Sequence, residues 1–253
     1  ATHRRLGESD SALRTQLNRA TALSSLGRFD EAFEQLVDAE RTATSTADPS
    51  LRAALLRQKA QFQTWRGRFD AALVLLRELR QHYDQVIDPA WSAHTDLLIG
   101  TNFLLAGEPV RATEYYREAE QRIAGITHAS LRVKVRLAEA VALQAMGRAD
   151  DAVQVAKAAV DELGPSSDPM LMQRAWLRLA EVQLDAGRDA EASTSLMSMP
   201  GAATPRLRLN QALVAHELGL RAEPALSWQT ELDAALASDQ LLLAMRIAER
   251  WVH

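Results

Sequence analysis

The side chains able to do chemistry are present in this sequence, but not in a chemical arrangement. The six histidines, His3, His82, His94, His128, His216 and His253, never stand three or four positions apart. No helix can therefore offer a metal ion an adjacent imidazole pair. Cysteine is absent, which removes thiolate nucleophiles, cysteine-ligated metals and disulfides together. No glycine leads into Gly-Lys-Ser or Gly-Lys-Thr, so the loop that cradles nucleotide phosphates is missing. The spacing assigns no catalytic residue, no metal and no cofactor. It reads as a chain that binds rather than one that catalyses.

What recurs is positive charge. Arg14, His94, Lys134 and Arg174 fall on one 40-residue grid whose remaining slot holds Ala54, and Arg206 keeps the same distance before a later glycine, Gly219. The chain as a whole carries a net charge of −4. A row of cations in an acidic protein suits a carboxylate-rich peptide or a phosphorylated ligand, held by charge-assisted contacts. The plainer alternative is a solvated helix face. Trp65, two residues before Gly67, adds an aromatic anchor of the kind that dominates interfaces. The candidate contact set is therefore Arg14, Trp65, His94, Lys134, Arg174 and Arg206. Trp91, Trp176 and Trp228 have apolar helical neighbours and read as core. Without a basic excess, direct nucleic-acid contact is not expected. Without an apolar run of about 18 residues, neither is a membrane span. No apolar stretch follows the N-terminus, so no signal peptide is read and a cytoplasmic site is expected.

The elements that would carry these residues are written in the same period. Gly27, Gly67, Gly107, Gly147 and Gly187 stand 40 residues apart, and each leads to an alanine five positions later: Ala32, Ala72, Ala112, Ala152 and Ala192. Seven positions before each glycine is another small residue: Ala20, Ala60, Gly100, Ala140 and Ala180. Asp48-Pro49, Asp88-Pro89 and Asp168-Pro169 share the grid, with His128-Ala129 as the deviating copy. Glycine between two helical runs supplies the left-handed residue that ends a helix. Asp before Pro is a helix start, since the carboxylate caps free N–H groups and Pro has none to lose. The small residues mark close helix crossings. Hydrophobic residues make up 47% of the chain but aromatics only 5%, and Ala, Leu, Glu, Gln and Arg all favour helix. The unit is helix A, tight turn, helix B, loop, with helix A near 11–26 and helix B near 28–46 in the first copy.

The order small residue, Gly seven later, Ala five after that, as in Ala60, Gly67 and Ala72 or Ala140, Gly147 and Ala152, resembles the tetratricopeptide repeat. Its usual period is 34 residues; here the extra length falls near the B-to-A loop. The aromatic expected early in helix A is replaced by Gln16, Leu56, Asp96 and Arg136, and only Trp176 fits. The longer period is similar to the superhelical repeats of bacterial maltose-regulator-type transcription activators. The resemblance implies an all-α, right-handed superhelix (α-solenoid) of antiparallel helix pairs forming a single domain over 1–253. Six repeats are read near 11–50, 51–90, 91–130, 131–170, 171–202 and 203–237, with a terminal helix over 238–252. It also implies a non-enzymatic module that takes a protein or peptide partner, or an effector, on its concave face. The alternative is the regulatory arm of a multidomain bacterial transcription activator or signalling enzyme, the chain being a piece of something longer.

Overall fold

The computed structural model describes residues 2–25, 28–43, 48–85, 88–165 and 167–200, together with Gln211, Val214, Ala215 and Leu218. Among the described residues there are ten α-helices and no strand. They are α1 (Thr2–Ser25), α2 (Phe29–Ala43), α3 (Pro49–Trp65), α4 (Phe69–Gln85), α5 (Pro89–Leu105), α6 (Pro109–Ile123), α7 (Ala129–Ala145), α8 (Ala149–Asp161), α9 (Pro169–Asp185) and α10 (Asp189–Ser198). Odd-numbered helices are the A helices of the repeat and even-numbered ones the B helices. None among the described residues is long and apolar enough to cross a membrane. The chain divides into two compact units, Ala1–Glu108 and Pro109–His253. The sixth repeat and the terminal helix lie outside the described residues, apart from Gln211, Val214, Ala215 and Leu218.

Local chemistry sets the helix ends. Asp48 accepts from Ser50 N at 2.9 Å, Asp88 from Trp91 N at 3.1 Å and Asp168 from Met170 N at 3.1 Å, each just ahead of a proline that opens the helix. His128 heads α7 without a side-chain cap. At the other end, Gly67, Gly107, Gly147 and Gly187 have φ between 69° and 82°, a backbone that non-glycine residues enter at a cost. The residue after each glycine donates back to the carbonyl five positions earlier, as in Arg68 N to Gln63 O and Arg148 N to Leu143 O, both at 2.9 Å. That bond and its partner from the glycine N–H form the Schellman closure. Gly27 lies outside the described residues. The first A helix departs from its expected bounds, since α1 begins at Thr2 and runs for 24 residues.

The A helices α3, α5, α7 and α9 are each 17 residues long. The B helices α4, α6 and α8 shrink from 17 to 15 to 13. The connections that follow lengthen in step, so every next A helix still begins on the grid, at residues 49, 89, 129 and 169. Two small-residue columns make the contacts close. Ala20, Ala60, Ala140 and Ala180 on the A helices, with Ala32, Ala72, Ala112, Ala152 and Ala192 on the B helices, are all essentially inaccessible. Around them, Leu13, Leu17, Leu36, Leu51, Leu55 and Phe62 form the core of the first unit. In the second unit Leu143, Val153, Leu179 and Val182 pack against Ala140, Ala152 and Ala156.

Candidate binding surface

In the first unit the expected contact residues sit on the A helices α1, α3 and α5. Arg14 is exposed, Ala54 leaves the intermediate slot uncharged, and His94 is half-buried. His94 meets Trp91 edge-on at 5.5 Å; Trp91 in turn stacks on Tyr83 at 5.6 Å, with the Arg57 guanidinium 5.8 Å from its ring centroid. Burial holds the Tyr83 phenol above its usual range, with Arg57 opposing and Asp88 reinforcing the shift. Trp91 is not core, as its neighbours imply, but 42% exposed. Its slot holds Leu51, Leu131 and Leu171 in sibling repeats, all buried. An indole is larger than the space a leucine leaves, so it lies on Tyr83 with part of the ring in solvent. Trp65 is 50% exposed at the end of α3, and Leu105, one repeat on, is 37% exposed at the end of α5. Beside Trp65, Arg66 covers the stacked rings of Phe33 and Phe62 at 4.7 and 4.6 Å.

In the second unit Lys134 on α7 and Arg174 on α9 are both exposed, on A helices that pack against each other. Neither makes an ion pair with the described residues. The other A-helix arginines of this unit do. Arg132 binds Glu162 at 2.7 Å, Arg136 binds Glu120 at 2.9 Å and Glu162 at 3.2 Å, and Arg178 binds Glu181 at 2.6 Å. A hydrogen bond from Gln144 to Asp185 joins α7 and α9 near their C-terminal ends. Arg206 lies outside the described residues. Of the second unit, Trp176 is half-buried, packed against Leu177 and Leu179 among others. Trp228 lies outside the described residues.

Two of the four slots left without an aromatic, Asp96 and Arg136, turn out to hold charge pairs between a B helix and the next A helix. Arg80 on α4 lies 3.1 Å from Asp96 on α5, and Asp96 has no exposed surface. Forty residues on, the same two positions are Glu120 on α6 and Arg136 on α7, with the signs exchanged. A further repeat on, they are Val160 and Trp176, which pack against one core cluster. In the earliest copy Glu40 turns instead to Lys59 at 2.6 Å. These pairs escape a reading of single columns, because each column mixes signs; the signal lies in reading positions 16 apart together. Close by, Glu139 is nearly buried. Burial and the Glu120 charge raise its carboxyl above the usual range, while Arg117, at 4.0 Å, and Arg136 pull it back.

Solved structures match this arrangement. One of a putative kinesin light chain from Podosopora anserina, with nearly identical tetratricopeptide-like repeats, superposes with a TM-score of 0.59 at 18% identity, covering 82% of this chain and 98% of that one. BtubC (BKLC) from P. vanneervenii gives 0.58 at 17%, covering 90% and 96%. The fold is a tetratricopeptide-like repeat. A Rap protein complexed with competence and sporulation factor shares it, with a TM-score of 0.54 at 11% identity, covering 96% of this chain and 78% of that one. Residues 3–86 match the family model for the C-terminal domain of suppressor of spindle checkpoint defect 1. No curated protein sequence matches. Within the tetratricopeptide-like pattern, the charge pairs at 80/96 and 120/136 occupy the slots where an aromatic is usual.

Proposed function

We propose that the chain is a non-catalytic binding module that takes an acidic protein or peptide on the face lined by its A helices. The observation that carries this reading is the contrast within the second unit. Arg132, Arg136 and Arg178 are neutralised by glutamates, whereas Lys134 and Arg174, one repeat apart on neighbouring A helices, are exposed without an ion-pair partner among the described residues. The paired arginines are half-buried and their charge is already used within the fold, which leaves Lys134 and Arg174 as the A-helix cations of this unit accessible to a partner. In the first unit, Arg14 continues the slot and Trp65 supplies exposed aromatic surface, the residue type that anchors interfaces. The Rap protein complexed with competence and sporulation factor is a fold relative found with a bound factor, which fits a binding role. No metal-holding group of His, Cys, Asp and Glu is found among the described residues.

Peptides selected from a random displayed library against the full chain test the reading. Enriched peptides are expected to be acidic, to bind more weakly as salt rises, and to lose at least about tenfold in affinity when Lys134→Glu and Arg174→Glu are combined, since a charge-assisted contact is worth about 1.5–3 kcal/mol. Helix content should stay unchanged. Enrichment of neutral or basic peptides, or of acidic ones indifferent to the double reversal, would rule out this face.

A further inference from the structure

The fifth repeat differs from the two before it at residues around one cavity. The cavity, of about 400 Å³, opens in the second unit between α8, α9 and α10, within the range of small-ligand sites. Val160, Trp176 and Leu179 supply apolar lining. Also in the lining, the Gln183 amide and the Ser195 hydroxyl hydrogen-bond at 2.7 Å, each residue only 5% exposed. One repeat earlier these positions hold Leu143 and Val155, two earlier Phe103 and Tyr115, and three earlier Gln63 and Leu75, so the fifth repeat is the one in which both positions are polar. A greasy pair that would close the crevice is thus replaced by a smaller polar one, which leaves space and lines it with hydrogen-bonding groups. The two groups satisfy each other, and the Gln183 amide also reaches Glu191 at 3.4 Å, so a polar pair stands at the opening without the cost of an unpaired buried group.

The rim carries both signs of charge. Lys157 and Asp161 reach it from α8 and Glu191 from α10. Lys157 and Asp161 make no ion pair among the described residues, while Glu191 stands 3.9 Å from Arg188. We infer that this cavity binds a small zwitterion with an apolar side chain, a free α-amino acid in chemical class. Its side chain lies on Trp176 and Leu179, its carboxylate meets Lys157, and its ammonium group meets Asp161 and Glu191. At about 100° per residue, Trp176, Leu179 and Gln183 occupy the side of α9 opposite Arg174. The site is therefore distinct from the A-helix face, and either reading can fail without the other.

Three probes of one shape separate the charges: L-phenylalanine, phenethylamine, which lacks the carboxylate, and 3-phenylpropionate, which lacks the amine. Titrated into the full chain, with the Trp176 indole N–H and Gln183 amide resonances as readout, L-phenylalanine should bind at least about tenfold more tightly than either analogue, one well-placed charge contact being worth that much. Lys157→Met should reduce L-phenylalanine to the level of phenethylamine and leave phenethylamine unharmed. Gln183→Leu with Ser195→Val, which copies the fourth repeat, should abolish binding of all three at full helix content. Equal affinity for the three probes would reduce the cavity to an apolar crevice and overturn the inference. So would absence of any shift at millimolar concentrations, or binding that survives the copied pair.

Discussion

Asp96 carries a carboxylate with no exposed surface, and the Arg80 guanidinium 3.1 Å away offsets the cost of burying it. Removing one partner of a buried pair strands the other charge, at a cost of about 3–5 kcal/mol. Arg80→Glu should therefore lower stability by that order in denaturant titrations. Arg80→Glu combined with Asp96→Arg should recover most of the loss, because Glu120 and Arg136 hold the same two positions in that reversed order. Glu139 gives a second, pH-dependent expectation. Its native carboxyl is raised by burial and by Glu120, so the folded state holds a proton that the unfolded chain has already released. The charged form is then a liability at neutral pH, relieved as pH falls through the raised native value and no longer felt below the ordinary carboxylate value. Glu139→Gln should stabilise the protein at pH 7, with an advantage that shrinks on acidification. A constant difference across that window would refute the assignment.

Helices and turns were the legible part, because their determinants are local. The glycine grid fixes the turns through backbone conformation alone: a Cβ at Gly147 would meet nothing within 4 Å, yet φ there is 71°. Gly147→Ala should cost about 1–2 kcal/mol for entering the left-handed region. Gly125→Ala, equally unobstructed and without a positive φ, should be neutral or slightly stabilising; equal losses at both would mean that something other than φ is at work. The alanine columns make the complementary case. Ala140 has no exposed surface, so Ala140→Phe should overpack the crossing by about 1–3 kcal/mol, whereas Gln154→Phe on the exposed side of α8 should shift the unfolding midpoint little. The start of α1 at Thr2 was not legible, because Thr2 through Asp10 carries no Asp-Pro signal. A helix beginning ahead of the periodic pattern leaves no mark in the period.

For the whole molecule, sequence reading recovered the succession of helix pairs but not which charges are already spent. Arg136 and Lys134 are two residues apart and chemically alike. Only their packing separates a guanidinium bound to Glu120 and Glu162 from an ammonium left to solvent. The same limit hid the cavity of the fifth repeat, since Gln183 and Ser195 are twelve residues apart and meet only when α9 and α10 pair. Trp91 shows the converse, where an apolar neighbourhood in sequence did not mean burial in space.

The exchanged signs at 80/96 and 120/136 bear on how such a chain can evolve. Tandem segments of one period can lose a whole period by unequal crossing-over, which keeps the succession of helices and turns. Loss of residues 81–120 would bring Arg80 opposite Arg136, and loss of residues 41–80 would bring Glu40 opposite Asp96. Each shortened chain thus faces like with like at a site where Asp96, or its counterpart, has little access to water. The 81–120 deletion should fold poorly, and a single Arg80→Glu change in it should restore its helix content by giving Arg136 the glutamate it has now. The second, third and fourth copies are therefore not interchangeable, because the order of their charges fixes which neighbours they can pair with.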